Sequence, residues 1–298
     1  MTEIFAQKYS IDDEELFSIH YMDLKGYFKM DKNHLHAYYE IFYLLEGERV
    51  YFINDRVYTA KKGDMVVINP YDLHHTSSSD VPGCERIIIY FSPEFLPPFD
   101  DLISTVLPFA QGSRLLRFPM KDQPAVEQKI RDIYMECMET KTGYEACVRS
   151  TLTNLLVQIH RHLTDENLQP LEFAHPMHEK ISEVASFLSQ YYQDDISLEQ
   201  IAKQFYISPS YLSRIFKKIT GLHFREYLLH IRIREAQKRL CETQEKTLMI
   251  AEHVGFRHIS HFNTSFKKIV GMSPLQYRKS RHPSYRGQAG TDGKADVT

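Results

Sequence analysis

A repeat of about fifty residues in the last third of the chain limits its fold more than any other feature. Ile201-Ala202 recurs as Ile250-Ala251, and Tyr227 recurs as Tyr277. Between them, Phe216-Lys-Lys-Ile-Thr-Gly221 recurs as Phe266-Lys-Lys-Ile-Val-Gly271. The first match is offset by 49 residues and the later ones by 50, so the second copy carries one extra residue between its helices. In the first copy Leu198, Ile201, Ala202 and Phe205 share one helical face, with Ser197 placed to cap its start. Tyr206-Ile207 makes a short turn. Ser208-Pro209 then opens a second helix, whose Tyr211, Leu212, Ile215, Phe216 and Ile219 are expected to bury its apolar side and which Gly221 ends. Two apolar-faced helices joined by so few residues form a helix-turn-helix unit, here present in tandem.

The second helix of such a unit enters the major groove, leading with its exposed N-terminal residues. In the first copy that face holds Ser210, Ser213, Arg214 and Lys217, with Tyr211 and Lys218 beside it; the second copy offers Ser260, His261, Asn263, Thr264, Lys267 and Lys268. Arg214 can pair with guanine and Asn263 with adenine, while the lysines lie where phosphates run. The intervening Leu222–Cys241 reads as one helix. Its twenty residues reach about 30 Å, close to the roughly 34 Å between successive major grooves on one side of a duplex. The expected partner is therefore a double-stranded DNA operator.

Charge supports this only when it is resolved along the chain. The total is −3. Residues 1–175 hold 17 basic and 27 acidic side chains, and residues 176–298 hold 19 and 12, so −10 precedes +7. A polyanion partner is expected for the second part alone. Four scattered cysteines without a CxxC pair exclude a disulfide framework, and no apolar run reaches the roughly 18 residues of a membrane span. Acidic residues 12–15 stand where a signal peptide needs an apolar core, so a cytoplasmic location is expected.

The N-terminal part reads as short strands from about Ile19 to Phe91. The runs starting at Glu40, Val50, Met65 and Arg86 are separated by turn signals at Glu46-Gly47, Asn54-Asp55, Gly63-Asp64, Asn69-Pro70 and Pro82-Gly83. This pattern predicts a sandwich or barrel. Helical stripes follow: Val126, Ile130, Ile133 and Cys137, then Cys147, Leu155, Leu156, Ile159 and Leu163. They suit a helix pair that packs on itself or on a second copy, so a homodimer is expected. Asn167–Pro170 reads as a linker and Pro283–Thr298 as a disordered tail. The expected division is 1–110 sensing, 111–172 helical dimerisation, 173–280 DNA binding and 281–298 tail.

The stretch Ile250-Ala251, Val254-Gly255-Phe256, Phe262, Phe266-Lys-Lys, Gly271, Ser273-Pro274 and Tyr277-Arg278 resembles the signature of AraC/XylS-family transcription regulators. Here His261 stands where that family usually has an aromatic residue, and Asn263-Thr264 replace a common Ser-Arg. Upstream, His34, His36, Glu40 and Gly47 resemble the first cupin motif, and Gly63, Pro70 and His74, with His75 adjacent, loosely resemble the second. The resemblance implies an α+β multidomain protein: an N-terminal cupin-like β-barrel with helices, then an all-α domain whose two helix-turn-helix motifs are joined by a linker helix. It further implies a small-molecule effector, bound near His34, His36, Tyr38, Glu40, Tyr43 and His74, and contact with RNA polymerase. Crowded tyrosines (Tyr38, Tyr39, Tyr43, Tyr51, Tyr58) suit a carbohydrate or a related metabolite. No cofactor and no catalytic constellation are called for. The competing reading is a metal-dependent cupin enzyme fused to a DNA-binding domain, with His34, His36, Glu40 and His74 as ligands.

Overall fold

A computed structural model describes residues 3–14, 16–27, 36–98, 100–107, 109, 112–165 and 175–281. His34, the Asn167–Pro170 linker and the Pro283–Thr298 tail lie outside the described residues. The chain divides into two units, Met1–Glu183 with Ile219–Gly221 and Val184–Lys218 with Leu222–Thr298, each taken by itself below.

The first unit runs β1 (Glu3–Ile11), β2 (Phe17–Lys25), β3 (Tyr39–Ile53), β4 (Arg56–Lys61), β5 (Asp64–Ile68), β6 (His74–Ser78) and β7 (Cys84–Phe91), followed by α1 (Asp100–Val106), β8 (Arg114–Arg117), α2 (Gln123–Glu139) and α3 (Tyr144–Leu163). All strand pairs are antiparallel. One sheet has the order β1-β2-β7-β3-β5-β8, and a second places β4 and β6 on either side of the far half of β3. β3 thus serves both sheets. The sequence predicts two strands divided by a turn at Glu46-Gly47; instead one strand of 15 residues bends there. Its register on β7 shifts between Leu44 and Glu46, and Gly47 sits at φ +89°, where a Cβ would come 2.7 Å from the Gly83 carbonyl oxygen. Only glycine fits that crossing.

β3 is buried along nearly its whole length because the larger sheet is covered on both faces. Between the sheets lie Leu24, Phe42, Leu44, Tyr51, Ile53, Ala60, Val66, Ile68, Cys84, Ile88 and Leu115. On the other face Ile41, Tyr43, Leu45, Met65, Val67, Ile87 and Ile89 pack against Val126, Ile130 and Ile133 of α2 and Leu152, Leu155, Leu156 and Ile159 of α3. The helical stripes are therefore used inside the chain. One expected member, Cys147, is exposed, and Val148 takes its place. Ile130→Ala is expected to cost about 2–5 kcal/mol in a urea melt, as a cavity in this core should. An unchanged melt with lost self-association would instead assign the stripe to a second copy.

The second unit contains the end of α4 (Pro176–Gln190), then α5 (Leu198–Gln204), α6 (Pro209–Thr220), α7 (Phe224–Glu242), α8 (Thr247–His253), α9 (Ile259–Val270) and α10 (Pro274–Arg281). The repeat survives as geometry. Phe216 meets Tyr227 edge-to-face at 5.3 Å and 73°, and Phe266 meets Tyr277 at 5.7 Å and 72°. The turn residues Tyr206 and Gly255 both take positive φ, +56° and +88°.

Candidate DNA-reading surface and effector site

Local chemistry sets the start of α5 and α6. Ser197 and Gln200 form a reciprocal capping box that starts α5, the Gln200 N–H donating to Ser197 Oγ at 3.2 Å and the Ser197 N–H to Gln200 Oε1 at 2.8 Å. Ser208 Oγ accepts from the Tyr211 N–H at 3.4 Å as α6 begins. With most apolar residues of α6 and α9 turned inward, Ser210, Arg214, Lys217, Lys218, Ser260, His261, Asn263, Thr264, Lys267 and Lys268 are exposed, and Ser213 is half-buried. Tyr211, expected on the buried side, is instead 37% exposed, its ring in the first turn of α6 lying against Arg214 and not in the core. The Arg214 guanidinium lies 5.4 Å above the Tyr211 ring, which limits its rotamers. Lys217 Nζ stands 2.7 Å from His223 Nε2, and Thr264 donates to the Ser260 carbonyl at 3.0 Å. The lysine pairs occupy the last turns of α6 and α9, where cations suit the helix dipole.

Sequence reasoning missed the residues that tie the two helix-turn-helix copies together. α7 is continuous over 19 residues, about 28 Å. From it, Arg232 donates to the carbonyls of Tyr192 at 2.7 Å and Asp194 at 2.8 Å. Arg257, in the second turn, pairs with Asp195 at 2.5 Å. Beside it, Gly255 comes so close that a Cβ would lie 2.7 Å from the Gln193 carbonyl oxygen. Linker helix and second turn thus grip the segment just before α5. The only sequence signal was a glycine in the second turn.

In the first unit, β3 alternation turns Glu40 toward the space between the sheets and Tyr43 toward the helices. Tyr43 donates to Glu127 of α2 at 3.5 Å, and Tyr39 packs on Phe91 and Phe109. Neither tyrosine joins the expected effector residues, because a one-residue step along a strand changes face. His36, Glu40 and His74 do converge, all three buried, with ligand atoms within 4.8 Å of one another. His36 Nε2 is 3.1 Å and His74 Nε2 3.5 Å from Glu40 Oε2. The opposite ring nitrogens face the Tyr38 carbonyl at 2.8 Å and the Asp72 carbonyl at 2.9 Å. Burial pushes the Glu40 carboxyl upward, but the hydrogen bonds of His36 and His74 outweigh it and hold the group well below its usual range. Burial likewise pulls His74 down, and Glu40 more than restores it. Two imidazoles oriented by carbonyls and one carboxylate are a donor set that fits a divalent transition metal.

Around this triad stand Tyr38, stacked on His36 at 4.4 Å, and Tyr90, edge-on to His20, His36 and Tyr38. Burial, then Lys8, lowers His20 to about 4, so it is neutral at ordinary pH. His20, Arg49, Arg86 and Tyr90 were not expected here. The alternation Arg86-x-Ile88-x-Tyr90 was the available signal. His75 lies one position off the triad's face. Glu40→Gln is expected to cost about 2–3 kcal/mol at neutral pH with chelator present, since a charge-assisted buried pair becomes a neutral one. A melt equal to the parent's would show the triad to be structurally idle.

Two family descriptions fit the chain: an AraC-like ligand binding domain over residues 27–169 and a helix-turn-helix domain over residues 201–280. The HTH-type transcriptional activator RhaS of Enterobacter sp. (strain 638) is 26% identical over 255 residues, 84% of this chain and 88% of that one. RhaR of Mannheimia succiniciproducens, also an HTH-type transcriptional activator, is 23% identical over 245 residues, 82% and 86% of the two chains. Among solved structures, the C-terminal domain of the response regulator yesN from Fusobacterium nucleatum is 36% identical over 32% of this chain and 94% of its own, with TM-score 0.31. No helix among the described residues is long and apolar enough to cross a membrane. With a ligand-binding description on the β unit, a helix-turn-helix description on the helical one and relatives aligned over more than four-fifths of its length, the chain belongs to the AraC/XylS family of transcription regulators.

Proposed function

We propose that this regulator activates transcription from an operator read by α6 and α9 together, and that a small effector between the two sheets of the first unit controls it. The carrying observation is the pair of helices α6 and α9 flanking one continuous α7, their exposed faces bearing Arg214 on the first and Asn263 on the second. The functional division is sensing over 1–110, a helical segment over 111–172, and DNA binding over 173–280. The effector acts by binding one of two states more tightly than the other, and a carbohydrate or related metabolite suits the tyrosine-rich interior.

The regulator works in the cytoplasm as a homodimer that contacts RNA polymerase. Met135 and Met138 of α2, 41% and 40% exposed, support the dimer reading; sedimentation at twice the 35.1 kDa chain mass tests it. We read the chain as a regulator and not an enzyme, in keeping with relatives whose names are those of transcriptional activators.

Footprinting with competitor DNA at stated salt tests the central reading. Protection is expected over two adjacent major grooves, about one helical turn apart. Arg214→Ala should weaken specific binding by about 1–3 kcal/mol and relax preference at one base position. Unchanged preference would remove Arg214 from the reading face.

A further inference from the structure

Arg86 lies on β7 opposite Leu44 of β3 and Met22 of β2, and is 4% exposed. Its guanidinium sits 5.6 Å from the centre of the Phe42 ring. Among the described residues Nη2 reaches only the Met22 sulfur, at 3.2 Å, a weak acceptor. Nε and Nη1 are buried without a hydrogen-bond partner among the described residues, and no carboxylate there pairs with Arg86. A guanidinium stays charged at any ordinary pH, so this charge cannot be shed by deprotonation. Burying an unpaired charge is among the costliest things a fold can do.

The surroundings deepen the imbalance. Arg49, 2% exposed, lies on the same interior and donates to Ser78 at 3.0 Å and to Thr76 at 3.4 Å. Burial, then the charge of Arg86, pulls its proton affinity down, so the two guanidinium groups repel. The buried carboxylate of this interior, Glu40, is held by His36 and His74. Its field and that of Arg86 meet on Tyr51 and Tyr90. Among the described residues, two buried guanidinium groups thus share this interior with a carboxylate that the two histidines already engage.

We propose that the effector carries a carboxylate, which binds Arg86 inside the first unit while its hydroxyls meet the polar groups around Tyr51, Thr76 and Tyr90. The inference rests on the effector reading above and narrows it to an acid. A buried guanidinium with no carboxylate partner calls for an anion, and a carboxylate is a common small organic group that supplies one at neutral pH. The neutral sugar alone leaves Arg86 as it stands.

Thermal melts of the full chain with D-gluconate, D-galacturonate, D-glucose, D-galactose and D-glucose 6-phosphate, at matched concentration and ionic strength, test this. At least one of the two acids should raise the melting temperature by several degrees more than its neutral counterpart. Arg86→Met, whose side chain suits the apolar neighbours, should melt no lower than the parent without ligand and bind the acid about 30-fold more weakly or worse. Arg86→Gln keeps the site polar and should lose the same response. Equal stabilisation of parent and Arg86→Met by the acids overturns the proposal. So does a lack of response to both acids, or a response confined to the phosphate. A large loss of stability in ligand-free Arg86→Met would assign the guanidinium a structural role and overturn it too. If the neutral sugars stabilise parent and variant alike, the effector reading stands and only its acid form falls.

Discussion

Valine in place of Gly255 is expected to cost about 2–4 kcal/mol and to abolish high-affinity operator binding, while leaving the melt of the first unit unchanged. Two separate penalties combine. The backbone there is at φ +88°, which a β-branched residue adopts only under strain. A Cβ would also lie 2.7 Å from the Gln193 carbonyl oxygen and 3.0 Å from the Arg232 guanidinium carbon. The valine must therefore push away the segment before α5, which Arg232 holds through the Tyr192 and Asp194 carbonyls and Arg257 through Asp195. That segment leads into the first helix-turn-helix, so damage in the second turn reaches both copies.

The repeat supplies its own control. Tyr206 occupies the matching turn at φ +56° but is 97% exposed, so its side chain meets open solvent. Tyr206→Gly should shift stability by less than about 1 kcal/mol, because relieved strain is offset by added freedom in the unfolded chain. Paired urea melts of the two variants decide the matter. Equal effects would mean that backbone conformation alone, and not the approach to Gln193, makes Gly255 necessary.

How much of this was legible differs between the units for a physical reason. In the helical unit nearly every decision is local. Ser197 and Ser208 start helices, Gly221 and Gly271 follow them, and the apolar period assigns most of the buried face, so most of the residues exposed on α6 and α9 follow by subtraction. In the β unit the decisions are between elements. β1 is an edge strand with little beyond Ile11 buried, so it carries no apolar alternation to detect. Gly47 signals positive φ, and positive φ serves a bend as well as a turn. The stripes of α2 and α3 announce burial without naming the partner, which is the larger sheet. Strand alternation from Glu40 would have sent Tyr43 away from His36 and His74. Applied to β7, it would have brought in Arg86 and Tyr90 beside them. What alternation could not supply was that Arg86 is buried there without a carboxylate partner among the described residues.

The other large effect concerns how affinity divides between base edges and phosphates. Arg214→Ala with Asn263→Ala should lower operator affinity by about 2–6 kcal/mol while leaving binding to unrelated duplexes nearly intact. The two side chains lie on different reading helices, so their losses should add. Replacing Lys217, Lys218, Lys267 and Lys268 by alanine should act otherwise. Each lysine that neutralises a phosphate releases counterion, so the quadruple variant should bind every duplex more weakly. The slope of log K against log salt should become shallower by about 3–4. Anisotropy titrations across a salt series, on the operator and on a scrambled duplex, separate the two classes. Salt slopes equal to the parent's in the lysine variant would place those side chains off the phosphates. A uniform loss on both duplexes in the Arg214/Asn263 variant would make these residues contributors of charge or fold, and not readers of sequence. The acidic first unit, at −10 over residues 1–175, offers no comparable phosphate site, so removing basic residues there should leave the slope unmoved.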